Sequence, residues 1–217
     1  MIDRRGHREV RRQNIEGLDL IRFIMPRPYH VIDLTEGTDA WREWRRGGIG
    51  SSDAATIMGE NPFKTAEGLF AEKQQPTREA ERNFARTQGK ALEPAARAQY
   101  CIQVGMQLEP ACLQNVERVW LRASLDGISA DGEHLVEIKC GPSAYRRAAA
   151  AHRPSRHHVG QLQHVLAVTG LPVIDIWYYF PPYPPVRLEV RRDETYIKRL
   201  LDAEEAFWKR LICSGHG

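Results

Sequence analysis

The segment around residues 124–140 constrains the fold more than any other, because an Asp131-Gly132 pair separates two strand-like runs, Ser124 to Ala130 and His134 to Cys140. Asp-Gly between alternating apolar residues is a strong signal for a two-residue hairpin turn. With those two residues as the turn, Ala130 pairs with Glu133, and stepping outward puts Asp126 directly opposite Glu137. Directly opposed side chains have Cβ atoms about 4.5–5.5 Å apart, and like charges there repel unless something positive lies between them. A divalent cation resolves the conflict. An all-oxygen ligand set with room for water suits Mg²⁺, with Mn²⁺ as a substitute, better than zinc. Strand alternation puts Lys139 on the face of Glu137 and turns Val136 and Ile138 the other way, into the core. The plainer reading, a surface hairpin with a Glu137–Lys139 ion pair, leaves Asp126 unexplained. On the metal reading, removing Glu137 relieves repulsion, so stability without metal should hold or rise.

The rest of the chain supplies elements to pack around this hairpin. Trp41 to Arg46 predicts a short helix or turn, Gly47 to Gly50 a break, and Ser51 and Ser52 the caps of a helix ending near Gly59. A second helix is predicted from Gly89 to Gln103, with Pro94 tolerable only in its first turn. Val116 to Ala123 is strand-like, and His157 to Thr169 is helical up to Gly170. Val173 to Phe180 predicts an apolar strand, Pro181 to Pro185 a stiff link, Val186 to Arg191 an edge strand, and Asp193 to Leu211 an amphipathic helix. Mixed strands and helices predict an α/β (α+β) domain with a central mixed β-sheet flanked by helices.

At 217 residues and 42% hydrophobic, the chain can bury one sizeable core, and residues 31–213 are assigned to a single domain with a short tail at 214–217. The four cysteines stand far apart without metal-ligand spacing, which excludes a zinc ribbon or a disulfide framework and points to a reduced, cytoplasmic setting. No apolar run approaches a membrane span, so no membrane partner is expected.

Charge is distributed unevenly. Residues 1–30 carry seven Arg against four acidic residues, and the remainder is balanced, so the formal +3 sits in an N-terminal extension with a short helix expected between Glu9 and Phe23. Between Glu137 and Asp175 there is no acidic residue, while Arg146, Arg147, Arg153 and Arg156 occur with four histidines. A basic run without interspersed carboxylates suits a phosphate backbone, because neutralised phosphates release counterions.

Four motifs in order also resemble a known family. Trp41-x-x-x-Arg45-x-Gly47-x-Ile49-Gly50-x-Ser52, Gly89-Lys90-x-x-Glu93, Asp126 with Glu137-Ile138-Lys139, and Gly160-Gln161-Leu162-Gln163 are similar to those of the phage-type exonucleases typified by lambda exonuclease and the YqaJ viral recombinase domain. That family lies within the PD-(D/E)xK nuclease superfamily. The resemblance spans most of residues 41–211 and implies a restriction-endonuclease-like core. It implies metal ligation by Asp126, Glu137, the Ile138 carbonyl and Glu93, with Lys139 holding the attacking water and Gln161 orienting that water or Lys139. It implies that Arg45 and Ser52 bind a 5′-terminal phosphate.

The function implied is a Mg²⁺-dependent 5′→3′ exonuclease on double-stranded DNA in phage-type recombination, working beside a single-strand annealing protein and assembled as a homotrimer. Two alternatives stand beside it: an endonuclease on the same core, and a non-catalytic DNA-binding accessory module. The first 30 residues and the Pro181–Pro185 link have no counterpart in the family pattern.

Overall fold

The structure is a computed structural model and describes residues 26–75 and 84–214; the expected helix between Glu9 and Phe23 lies outside them. Seven strands form one mixed sheet: β1 (Tyr29–Ile32), β2 (Ile49–Gly50), β3 (Leu108–Asn115), β4 (Leu121–Ser129), β5 (Leu135–Cys140), β6 (Val173–Tyr179) and β7 (Val186–Arg191). The order is β1-β3-β4-β5-β6-β7, with β2 joined to β4. The β5–β6 and β2–β4 pairs are parallel and the others antiparallel. Among the described residues seven helices surround it: α1 (Asp39–Arg46), α2 (Ser51–Ile57), α3 (Ala66–Gln74), α4 (Phe84–Val104), α5 (Pro142–Ala151), α6 (Arg156–Thr169) and α7 (Glu194–Ser214).

The sheet is buried on both faces. On one, Leu113, Leu121, Ala123, Leu135, Ile174 and Ile176 pack against Leu162, Val165 and Leu166 of α6 and Ile197 of α7. On the other, Leu108, Val136, Ile138 and Trp177 pack against Ala96, Tyr100 and Cys101 of α4. That double cover explains why β5 reads as a nearly continuous apolar run with Glu137 set inside it.

The β4–β5 hairpin has the predicted register, Gly127↔Val136 and Ile128↔Leu135, but a longer turn. Ser129 N donates to His134 O at 3.0 Å and Gly132 N to Ser129 O at 2.8 Å, so residues 130–133 form the loop. The Asp131 carboxylate accepts from the Glu133 amide at 3.1 Å, and Gly132 takes φ +68°. Widening the loop by one residue at each end leaves every pair outside it unchanged.

Elsewhere the elements depart from expectation for local reasons. Residues 116–120 turn rather than extend, because Asn115 Oδ1 accepts from the Glu117 and Arg118 amides at 3.1 and 2.9 Å. The strand before that turn, β3, was masked by Pro110, which has no N–H for the ladder. Helix α4 begins at Phe84, so Pro94 lies mid-helix rather than in the first turn, on an exposed face where water can reach the freed carbonyl. Helix α5 was missed although Pro142 occupies its first turn. Gly50, not Ser51 or Ser52, caps α2, and its N–H donates to Asp53 Oδ2 at 3.0 Å.

Candidate active site

Asp126 owes its position to an irregularity in β4. Glu109 pairs with Ile128 and Ala111 with Leu125, so β4 fits one more residue than β3 into the same interval, opposite Pro110. This is the signature of a β-bulge, a device that re-aims a side chain. Regular β4–β5 pairing is recorded inward from Gly127↔Val136, and beyond it Asp126 Oδ2 accepts from the Ile138 amide at 2.7 Å. A side chain thus stands in for the backbone ladder where the two carboxylates meet. Gly127 allows the close approach: a Cβ there would lie 2.7 Å from Val136 Cγ1.

Glu137 is 3% exposed. Its Oε1 accepts from Lys139 Nζ at 2.7 Å and from Gln161 Nε2 at 2.5 Å. Its Oε2 is buried with no hydrogen-bond partner among the described residues. An orphaned carboxylate oxygen in so dry a position is costly, which makes it the sharpest local sign of an absent ligand. Burial, reinforced by the charge of Glu137, pushes Asp126 well above the usual carboxylate range against the pull of Lys139. Burial and the charge of Glu36 raise Glu93 in the same way. Burial opposes the charge on Lys139, but Glu137, Asp126 and Glu93 together outweigh it and hold the ammonium above its ordinary value.

These groups line one cleft of about 300 Å³ together with Arg45, Ser52, Gly89, Lys90, Ile138 and Cys140. The first motif, the α4 glutamate, the β4–β5 carboxylates and Gln161 of α6 therefore converge from four separate parts of the chain. Gln161 Nε2 donates to Glu137 Oε1, the oxygen that also accepts from Lys139. Arg45 Nη2 donates to Ser52 Oγ, and the guanidinium lies 5.2 Å from the centroid of the Trp41 ring. Asp53, bound by Lys73 at 2.9 Å, stands 4.0 Å from Arg45 and holds the arginine end of the cleft in place. All ligand atoms offered to a cation are oxygens, which fits Mg²⁺ or Mn²⁺.

Sequence reasoning left several cleft-lining residues out of the site. Glu36, in the loop before α1, brings an oxygen within 4.8 Å of oxygens of Glu93 and Asp126. Trp41 lines the wall and donates to Ser124 Oγ at 2.9 Å, and Arg122 lies 5.3 Å from the ring centroid of Trp44. Glu36, Ser124 and Arg122 carry no local signal of chemistry, since each is an ordinary polar residue until the sheet brings it to the cleft.

The basic run is not brought into the cleft. Arg146 and Arg147 are exposed on α5, Arg153 lies in the following turn and Arg156 opens α6. The stretch that lacks acids in sequence gains one in space: Arg156 Nε lies 3.1 Å from Glu60, which also accepts from the Tyr196 hydroxyl at 2.6 Å. Nor does His158 add a positive charge to this run. His158 is buried against the Tyr178 hydroxyl at 2.9 Å, and burial with the nearby Lys139 pushes its imidazole down to about 2. No described helix is long and apolar enough to cross a membrane.

The sequence model of the YqaJ-like viral recombinase domain matches residues 40–172. The Bacillus subtilis (strain 168) protein YqaJ is 27% identical over 183 residues, which cover 82% of this chain and 57% of YqaJ. This chain thus spans little more than half the length of that relative. The alkaline exonuclease LHK-Exo from Laribacter hongkongensis is 26% identical and superposes with a TM-score of 0.72 over 82% of this chain and 94% of its own. Its complex with dAMP gives 0.73. A phage-related exonuclease from Haemophilus somnus 129PT, 14% identical with a TM-score of 0.54 over 77% of this chain and 96% of its own, shares the fold.

Proposed function

Because this chain belongs to the YqaJ-like viral recombinase domain family, we propose that it is a divalent-metal-dependent DNA nuclease, and specifically a 5′→3′ exonuclease on double-stranded DNA in phage-type recombination. The observation that carries the reading is the buried Oε2 of Glu137, without a hydrogen-bond partner among the described residues, in a cleft that also holds Asp126 and Lys139. Asp126, Glu137, the Ile138 carbonyl and Glu93 would hold Mg²⁺ or Mn²⁺. When bound, such an ion supplies Lewis-acid polarisation of the scissile phosphate and lowers the pKa of water.

The chain's own groups divide the remaining work. Lys139 Nζ, 2.7 Å from Glu137, donates to an attacking water and to the phosphate oxygens, holding one against the other. Gln161 keeps Glu137 in the rotamer that presents Oε2 to the cleft. Arg45 and Ser52 receive the 5′-phosphate at the end of the cleft, where a guanidinium can grip the dianion bidentately. Exposed Arg146, Arg147 and Arg153 offer contacts to the duplex backbone outside the cleft, and Arg156 joins them when it leaves Glu60. A homotrimer and an annealing partner belong to the same reading through the family resemblance.

The test is digestion of linear and closed circular duplexes with Mg²⁺, Mn²⁺, Ca²⁺ or EDTA. Linear DNA is degraded from its ends with Mg²⁺ or Mn²⁺. Ca²⁺ binds without supporting cleavage, because its larger and looser coordination misplaces the water. Cleavage in EDTA overturns the metal mechanism, and nicking of circular DNA moves the assignment to an endonuclease on the same core.

A further inference from the structure

The link between β6 and β7 belongs to none of the motifs that announced the site, and Tyr183 stands in it between Pro181-Pro182 and Pro184-Pro185. Proline fixes φ, so the segment holds its shape without a hydrogen-bond ladder. The Tyr145 hydroxyl fastens it to α5 by donating to Pro184 O at 2.8 Å. Three rings gather at this point. Tyr183 lies 5.7 Å from Phe180 and 5.7 Å from Tyr145 between ring centroids, at interplanar angles of 21° and 29°. Tyr145 and Phe180 are 6.1 Å apart. Such clusters ordinarily serve to bury their rings, yet Tyr183 stays 54% exposed.

The rings adjoin the cleft. Lys139 and Cys140, which line it, pair with Tyr178 and Tyr179 in the parallel β5–β6 register. Paired residues share a face and faces alternate along a strand, so Phe180 follows Tyr178 on the face that carries Glu137 and Lys139. Its contact with Tyr145, which packs on the same core as Tyr178, agrees with that placement. Two residues of strand advance about 7 Å, which sets the rings just past the lysine, at the carboxyl ends of β5 and β6. Charge at this edge is positive: Arg146 follows Tyr145 on α5, is exposed, and forms no ion pair among the described residues.

We propose that Tyr183, backed by Phe180 and Tyr145, is a stacking platform for an unpaired base of single-stranded DNA beside the cleft, with Arg146 on the adjoining phosphates. The inference rests on the DNA-nuclease reading above and adds a contact that selects single strand. An arginine grips the phosphates of duplex and single strand alike. A ring instead needs a free base face, which a duplex keeps inside its own stack. The proline-rich link presents the ring already ordered, so little conformational entropy is lost when a base lands on it.

Fluorescence anisotropy of the full-length protein, with Ca²⁺ in place of Mg²⁺ to hold cleavage back, tests this with three labelled DNAs. One is a blunt duplex, the second carries a single-stranded thymidine tail, and the third carries an abasic tail with the same phosphates; each tail is made in both polarities. Wild-type protein binds the thymidine tail more tightly than the abasic tail, in at least one polarity, by roughly 10- to 100-fold. Tyr183→Leu keeps apolar bulk without a flat ring and loses that gain, while its binding of blunt and abasic-tailed duplex stays at the wild-type level. Tyr183→Trp keeps the gain. Equal binding of the two tails by wild type overturns the inference and leaves the nuclease reading standing, as does a full gain in Tyr183→Leu. Equal weakening of all three DNAs by Tyr183→Leu also overturns it, since the ring would then only hold the link in place. A change of oligomeric mass in Tyr183→Leu with the gain intact assigns the rings to contact between copies and overturns it too. A wild-type protein that binds none of the three DNAs fells the inference and the DNA-nuclease reading together.

Discussion

At the scale of single residues, the cleft trades stability for a charge arrangement that a neutral core would avoid. Glu137 is the first partner of buried Lys139, so deleting it strands an ammonium, and the expectation that its loss leaves stability unchanged or higher does not survive the Glu137–Lys139–Gln161 contacts. Asp126 is the better probe of repulsion. It is held well above its ordinary range by burial and Glu137, and Asn keeps an oxygen to accept from the Ile138 amide. Asp126→Asn should therefore melt higher than wild type in EDTA at pH 8, by about 1–2 kcal/mol, while cleavage in Mg²⁺ is lost. A lower melting temperature would place the cost of the site elsewhere. Arg45 is tested through the DNA end. Arg45→Ala should slow attack on 5′-phosphorylated ends about 10- to 100-fold, the loss of roughly 1.5–3 kcal/mol, with little effect on 5′-hydroxyl ends. Arg45→Lys should recover part of the preference, and equal rates on both ends in wild type would remove the end-binding role.

At the scale of elements, the β4–β5 hairpin brings the carboxylates together and the β3–β4 irregularity sets their facing. Gly127 lies between the two effects: a Cβ there would meet Val136 Cγ1 at 2.7 Å and Leu108 Cβ at 3.1 Å. Gly127→Ala should cost about 1–3 kcal/mol and lower activity by shifting Asp126. In thermal unfolding, Val136→Ala should cost less in the Gly127→Ala background than alone; additive losses would show that the strands absorb the methyl elsewhere. Gly160, read as part of a motif, has a packing role of the same kind, since a Cβ on it would lie 3.1 Å from Ala55 Cα where α6 crosses α2. Turn chemistry and alternation made this hairpin legible in sequence. The strands and helices that escaped detection had weaker local signals: β3 carries a proline, β1 has four residues, and α3 has no clear apolar stripe.

At the scale of the whole molecule, stability should vary with pH in a way that can be traced to α6. His158 is pushed down to about 2 from an ordinary 6.5, so the unfolded chain takes up this proton long before the folded one. Its contribution is complete above pH 6.5 and is lost as pH falls through the window below it, at up to about 1.4 kcal/mol per unit. Asp126 and Glu93 are shifted upward, so protonating them favours the folded state and works in the opposite sense. The test is consequently a difference: between pH 6.5 and 5, His158→Gln should lose less stability than wild type by about 1–2 kcal/mol, measured by urea unfolding in parallel. Parallel pH profiles would mean that folded His158 titrates normally.

What the sequence determined by itself was whatever depends on near neighbours. The hairpin register that opposes Asp126 to Glu137, the shared face of Glu137 and Lys139, and the apolar strand at β6 all follow from alternation and turn residues within a few positions. The family motifs added Glu93, Gln161, Arg45 and Ser52 as separate marks, with no means of showing that they line one cleft. Tertiary structure decided that they do, and it decided what each one touches: Gln161 on Glu137, Arg156 on Glu60, Lys73 on Asp53, and Glu36 beside Glu93 and Asp126. These contacts join residues 20 or more positions apart on different elements. No local pattern encodes them, because Coulomb energy and burial depend on distance in space, and only the packed sheet and its two helical layers set that distance.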